Sequence, residues 1–153
     1  MIVYSIEAAL RSNLSDLYVT TDCHEIINLC IDLNVKYIVR PQTLAHDNAP
    51  MLPVIQHAIQ DANIDCNSVM ILQPTSPFRT HTDINNAINI FISDNDADSL
   101  VSVVKVPHNY MPEKLMEFDG KYLIGNNRPK RRQDLQLFYA RNGAAIYITK
   151  FEK

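Results

Sequence analysis

The sequence predicts an α/β fold, three layers built on a largely parallel sheet, in a single domain of 153 residues. Three observations carry this expectation. Short runs rich in β-branched residues alternate with segments of helical spacing up to Val104. The apolar run Ser68-Val69-Met70-Ile71 stops at Leu72-Gln73-Pro74-Thr75-Ser76-Pro77-Phe78-Arg79-Thr80, a polar loop pinned by two prolines. A buried strand that delivers a loop to a sheet edge has this form, and sites in open α/β sheets lie at such carboxyl ends. Finally, no repeat, low-complexity tract or linker divides the chain.

The elements follow in order. Residues 2–14 have helical spacing, with Ile2, Ile6, Ala9 and Leu10 on one face. Leu17-Tyr18-Val19-Thr20 is a first strand. Asp22 is expected to cap the next helix, with Glu25 completing a capping box and Ile26, Ile27, Cys30, Ile31 and Leu33 forming its apolar stripe. Residues 35–39 form a second strand, ended by Arg40-Pro41 and followed by a polar loop over 42–50. A helix over 52–62 turns Val54, Ile55, Ala58 and Ile59 inward. After the strand at 68–72 come a helix over 83–93 and a strand over 99–104. Beyond Lys105 the rhythm breaks into short β-like pieces, with Asp119-Gly120 a hairpin turn and 144–149 a last strand.

Composition narrows the function classes. Hydrophobic content of 46% and charged content of 20% fit an ordered globular protein. A net charge of −3 argues against a general nucleic-acid surface. No apolar run reaches the roughly 20 residues of a membrane helix, and the first residues lack a signal-peptide pattern. Cys23, Cys30 and Cys66 lack metal-ligand spacing and read as reduced thiols of a cytoplasmic protein. The three glycines, Gly120, Gly125 and Gly143, all lie late, so the first 119 residues contain no glycine loop of the kind that cradles phosphate.

The residues with chemical potential gather at strand ends. The Gln73 amide offers two donors and an acceptor, suited to a polyhydroxylated ligand or to stabilising its own loop. Arg40 ends one strand and Arg131-Arg132 approach another, so three guanidinium groups could converge on an anion; a solvated basic cluster over 128–132 is the alternative. Asp22, Asp47, Asp96 and Asp98 each carry an oxygen able to bind Mg²⁺, or serve as cap and turn residues. The five histidines show no zinc-like pairing, and no Ser/His/Asp arrangement surrounds Thr75 and Ser76.

Taken together these segments resemble a known family. The loop over 72–80, Thr20-Thr21-Asp22, Arg40-Pro41 with Leu44-Ala45-His46-Asp47, Asp98-Ser99-Leu100-Val101-Ser102-Val103, and Arg131-Arg132-Gln133-Asp134-Leu135 before Asn142-Gly143-Ala144 occur in order. They resemble the acylneuraminate cytidylyltransferases, the CMP-sialic acid and CMP-legionaminic acid synthetases, over almost the whole chain. The resemblance implies a Rossmann-like nucleotidyltransferase fold and Mg²⁺-dependent transfer of CMP from CTP to a nine-carbon α-keto acid sugar, a nonulosonic acid. It assigns Gln73 to the sugar, Arg40 to the cytidine pocket, Arg132 to catalysis, Arg131 to substrate binding, and Asn142 and Gly143 to the border of the sugar pocket. It also implies a homodimer joined by an irregular arm over 105–140. Two alternatives stand beside it: a synthetase for the eight-carbon sugar Kdo, and a non-catalytic subunit that dimerises.

The sequence also departs from the family pattern. Ala49 and Met51 stand where family members often carry serines. Ala140-Arg141 replaces the usual Arg-Pro, and Ala145 adds a residue. The family's central phosphate-loop strand would precede Met1 and its Mg²⁺-binding aspartates would follow Lys153. The expectation is therefore an internal piece, or a truncated product, of such a synthetase.

Overall fold

The computed structural model describes residues 1–125, 131, 133, 136–141, 143 and 145–151. Helices and strands alternate as α1 (Ile2–Leu10), β1 (Tyr18–Thr21), α2 (His24–Asp32), β2 (Lys36–Val39), α3 (Met51–Asp61), β3 (Ser68–Ile71), α4 (His81–Ser93) and β4 (Ser99–Val101). The short pieces β5 (Val104–Lys105), β6 (Met116–Phe118), β7 (Leu123–Gly125) and β8 (Tyr139–Ala140) follow, then β9 (Tyr147–Lys150).

β1 and β2 pair in parallel, with Tyr18 opposite Lys36 and Thr21 opposite Val39. β9 lies between β3 and β4 and runs antiparallel to both. β3 and β4 therefore run in the same direction, and β9 alone opposes them. The α/β class holds, with the antiparallel strand contributed by the return of the chain from the irregular segment. Among the described strands, β1–β2 and β3–β9–β4 are separate ladders.

Two apolar clusters hold these parts. Ala8 of α1 packs with Ile84, Ala87 and Phe91 of α4 and with Ile146 and Ile148. Ile6 packs with Val19, Cys30 and Val35. α1 belongs to both clusters and so joins the two ladders. Its inward face is Ser5, Ile6, Ala8 and Ala9, whereas Leu10 is exposed. The helix stops at Leu10, shorter than the 2–14 span its spacing predicts. In α2, Ile27 and Cys30 point inward, while Ile31 and Leu33 face solvent. A nine-residue helix has room for one inward stripe only, and Ile31 lies off it.

Capping also differs from expectation. Cys23, not Asp22, is the N-cap of α2, and it makes no side-chain cap bond. Instead the Thr21 hydroxyl accepts the Cys23 N–H at 3.1 Å, and Asp22 is left exposed. The capping box occurs at α4: Thr80 Oγ1 accepts the Asp83 N–H, and Asp83 Oδ2 accepts the Thr80 N–H at 2.8 Å. These bonds, the Thr80 backbone bond first, hold the Asp83 carboxyl below its ordinary value.

The hairpin at Asp119-Gly120 is present. β6 and β7 pair antiparallel across it, Asp119 Oδ1 accepts the Lys121 and Tyr122 N–H groups, and Gly120 adopts φ +99. That carboxylate stands in for the carbonyl acceptors a longer ladder would supply. The strand expected over 99–104 breaks into β4 and β5. Ser102, at the break, gives its N–H to the Ile146 carbonyl and accepts the Ile146 N–H on its hydroxyl at 3.0 Å.

Candidate active site

The site begins at the carboxyl ends of β1, β2 and β3. Arg40 follows β2 directly, and its backbone N–H reaches the Thr21 carbonyl at 2.8 Å, continuing the parallel ladder. Its side chain folds back across β1: Nη2 donates to the Thr20 carbonyl at 2.7 Å and Nε to Thr20 Oγ1 at 3.3 Å. Both acceptors are neutral oxygens of Thr20, and together they hold the guanidinium in place. Two further donors remain on Nη1, the geometry an anionic oxygen needs.

Gln73 stands beyond β3 and is half-buried. The loop after it turns tightly: Ser76 N–H donates to the Gln73 carbonyl and Arg79 N–H to the Ser76 carbonyl, both at 3.3 Å. Pro74 and Pro77 fix the backbone between them. Arg79 then closes the structure from below. It is 6% exposed, and Nη1 donates to the Gln73 carbonyl at 3.2 Å and to the Ala145 carbonyl at 2.6 Å, while Nη2 donates to Ser5 Oγ at 2.9 Å. The start of its own loop and two remote segments thus meet on one guanidinium. Burial lowers its pKa from the ordinary arginine value, and the nearby Asp83 charge opposes that shift.

Arg40 and Gln73 line one cavity of about 1020 Å³ together with Thr20, Thr21 and Pro74. The lining also takes in β1 and β3 residues and mixes apolar side chains such as Val19, Val69 and Phe91 with the polar Asp16, Asn67 and Ser68. The strand ends therefore bring a cation and an amide to one mixed cavity.

The other expected site residues are distributed differently. Arg131 is exposed and is not among the lining residues, so the expected convergence of Arg131 with Arg40 on this cavity is not seen. Gly143 has φ +52 and nothing within 4 Å of where a Cβ would stand; it also lies outside the lining. Its connection to the site runs through Ala145, two residues on, which Arg79 ties to Gln73. Arg132 and Asn142 lie outside the described residues. Among the described residues no group of three or more His, Cys, Asp or Glu side chains is placed to hold a metal ion. Asp98, one of the acids at strand ends, instead pairs with Lys150 at 3.3 Å. Among the described residues the donor set does not fit a Mg²⁺ ion.

Sequence reasoning missed two contributors. Thr20 anchors Arg40 through its carbonyl and hydroxyl, which no side-chain pattern announces. Ser5 supplies an acceptor to Arg79; its signal was a hydroxyl on an otherwise apolar helix face, a placement that calls for a buried partner.

Comparison with known proteins covers nearly the whole chain. A family model described as cytidylyltransferase matches residues 1–150. An N-acylneuraminate cytidylyltransferase of Streptococcus agalactiae serotype V is 29% identical over 157 aligned residues, covering 99% of this chain and 37% of that protein. One of Escherichia coli O18:K1:H7 is 34% identical over 106 residues, covering 69% of this chain and 25% of that protein. A CMP-N,N'-diacetyllegionaminic acid synthase of Legionella pneumophila subsp. pneumophila is 29% identical, covering 97% of this chain and 66% of that protein. The chain thus spans a little over a third of the length of the streptococcal relative. A solved structure of CMP:2-keto-3-deoxy-manno-octonic acid synthetase complexed with CTP superposes with a TM-score of 0.69 at 13% identity, over 97% of this chain and 62% of that one. At that identity the likeness establishes the fold.

Proposed function

The chain belongs to the cytidylyltransferase family, and from that premise we propose that it provides the sugar- and cytidine-facing walls of a site that transfers CMP from CTP to a nine-carbon α-keto acid sugar. In the proposed reaction the anomeric hydroxyl oxygen attacks the α-phosphorus. A new P–O bond forms, the bond to the β-phosphate breaks, and pyrophosphate leaves with the electron pair while the hydroxyl proton is lost. The observation that carries the reading is the shared cavity of Arg40 and Gln73 at the strand ends.

In this proposal Gln73 bonds sugar hydroxyls, its backbone held by Arg79. Arg40 meets the nucleotide, with its fork set by Thr20. Catalysis rests on positioning and on cations spreading phosphate charge. Arg132 as the catalytic arginine, Arg131 as a substrate-binding residue, and Asn142 and Gly143 at the sugar border remain part of the proposal on the strength of the family motif. Mg²⁺ also belongs to it, with ligands from outside this chain.

We further assign the protein to the cytoplasm, in keeping with three free thiols, and to a homodimer. Support for the dimer comes from the segment over 105–140, which exposes Tyr110, Phe118, Leu123, Ile124 and Tyr139. So dense an apolar surface suits a subunit contact.

The test is an amide NMR titration of the chain with CTP and, separately, with N-acetylneuraminate, followed by pyrophosphate release with both. Sugar is expected to shift Gln73 and its loop, and CTP to shift Thr20 and Arg40. Absence of both responses, or the reverse assignment, overturns the reading.

A further inference from the structure

The β3–β9 ladder meets a side chain where it ends beside Gln73. Its register sets Val69 opposite Thr149 and Ile71 opposite Tyr147. The Asn67 carbonyl accepts the Phe151 N–H, so by strand alternation Asn67, Val69 and Ile71 direct their backbone groups to β9. Gln73 is next in that series, and the same register, carried on, sets it opposite Ala145. At this position both carbonyls turn to one side-chain nitrogen. Arg79 Nη1 donates to the Gln73 carbonyl at 3.2 Å and to the Ala145 carbonyl at 2.6 Å. The guanidinium thus bridges the two strands where their ladder would otherwise continue.

The far strand is also held from its other side. The Ala145 carbonyl and the Ile146 N–H belong to one planar peptide group. Arg79 bonds the carbonyl, Ser102 Oγ accepts the N–H at 3.0 Å, and the Ser102 N–H donates to the Ile146 carbonyl at 3.0 Å. That peptide cannot tilt without loosening bonds on both sides. On the near strand the Gln73 carbonyl is shared by Arg79 and the Ser76 N–H, so strand end and loop are tied together. Nη2 fastens the unit to Ser5 of α1. Stability alone does not account for a cation here. Arg79 is 6% exposed, and among the described residues its Nε has no partner. Well-packed apolar residues often match or exceed a buried charge in stability. A planar fork supplies what they cannot, two carbonyls held at a set separation by one rigid group.

We propose that Arg79 is a positioning residue for the sugar: it fixes the separation between Gln73 and the Ala145 segment, and so the width of the sugar-facing mouth. The role rests on the proposed assignment of Gln73 and Gly143 to the sugar. Gly143 lies two residues before Ala145, so both assigned walls depend on one guanidinium. Arg79 itself lies outside the cavity lining and acts through the backbone it holds. Arg40, assigned to the nucleotide, is set by Thr20 instead. Sugar affinity therefore depends on Arg79, and nucleotide affinity does not.

The test uses the full chain and three variants. Amide NMR gives the Kd for N-acetylneuraminate and for CTP, and urea unfolding gives the midpoints. Arg79→Lys keeps the charge but brings a single nitrogen to acceptors on three segments. Its sugar Kd should rise at least about tenfold, with the CTP Kd within about twofold of the parent. Ser102→Ala leaves Arg79 in place and releases the Ile146 N–H, so the sugar Kd should rise about threefold. This variant decides the matter if Arg79→Lys does not fold. Val35→Ala, in the other apolar cluster, should lower the urea midpoint and leave both Kd values unchanged. In the parent, sugar should shift the Ile146 amide together with Gln73, and folded Arg79→Lys should lose the Ile146 shift. The role is overturned by an unchanged sugar Kd in folded Arg79→Lys or in Ser102→Ala. It is equally overturned if Val35→Ala weakens sugar as much, or if Arg79→Lys weakens sugar and CTP alike. A parent with no sugar response overturns the site reading, and this role with it; a parent that responds, with folded Arg79→Lys unaffected, overturns this role alone.

Discussion

Replacing Arg79 with alanine should cost more than any single surface change in this protein. The guanidinium is nearly inaccessible and bonds the Gln73 carbonyl, the Ala145 carbonyl and Ser5 Oγ. Hydrogen bonds from charged donors contribute about 1.5–3 kcal/mol each. Three independent bonds would sum to more than the expected loss, because desolvation already opposes the buried charge. The Gln73 carbonyl also keeps the Ser76 N–H. The expected loss is about 3–5 kcal/mol, a large share of the roughly 5–15 kcal/mol that holds an ordinary domain together. Arg79→Lys keeps the charge and can restore only part of the fork, so it should fall between the parent and alanine. Urea unfolding measures both, with the slope checked for constancy. Amide exchange at Ser76 provides a second readout, since its acceptor is the carbonyl that Arg79 holds. A midpoint for Arg79→Ala within about 0.5 kcal/mol of the parent would refute the tether.

Five other outcomes are expected. Thr80→Ala should cost about 1 kcal/mol by removing the capping box of α4, measured by thermal or urea unfolding. The Asp83 carboxyl is depressed below 3.8 in the folded chain; the unfolded state therefore binds more protons near that pH. The associated stability is complete above about pH 5, declines as pH falls through the folded pKa, and should be smaller in Thr80→Ala. Ile84→Ala, at a fully buried position where α1, α4 and β9 meet, should cost about 2–5 kcal/mol. Gln73→Ala should weaken sugar binding more than CTP binding in the NMR titration, with little effect on unfolding. Phe118→Asp should reduce association measured by light scattering and leave the circular dichroism unchanged, since Phe118 is exposed and lies outside both apolar clusters.

The fold was legible wherever one strong local signal governed an element. Ser68–Ile71 followed by a proline-pinned loop gave the position of β3 and of Gln73, because proline restricts the backbone whatever surrounds it. Asp119-Gly120 gave the hairpin for the same kind of reason. Elements set by remote partners were harder to read. Leu10, Ile31 and Leu33 fit helical stripes but lie where no sheet covers them. Asp22 and Glu25 match a capping pattern, yet the Thr21 hydroxyl takes the Cys23 N–H first. β9 reads as one more strand in sequence, and its direction depends on how the chain returns from the 105–140 segment. For the site, Arg40 and Gln73 were visible as polar residues at strand ends. Arg79 was visible only as a loop residue, since its three acceptors are two carbonyls and a hydroxyl on segments up to 74 residues away.

The two arginines show how the same side chain serves opposite ends within one site. Arg79 is buried, its three bonds go to neutral acceptors, and its charge is balanced in part by the nearby Asp83. It holds backbone. Arg40 also bonds neutral acceptors, but it is only half-buried and borders the cavity. Its charge is available to an incoming anion, while the Thr20 bonds already restrict the side chain. Less entropy is then lost when a phosphate or carboxylate arrives. Weakening that preorganisation should be visible without changing the charge. Thr20→Val removes the hydroxyl that accepts Nε and leaves the carbonyl bond to Nη2 intact. CTP affinity should fall a few-fold, by the roughly 0.5–1.5 kcal/mol of one ordinary hydrogen bond, with the salt dependence of binding unchanged. A loss of salt dependence instead would mean that Arg40 had left the cavity, and that Thr20 positions the cation itself and not merely its orientation.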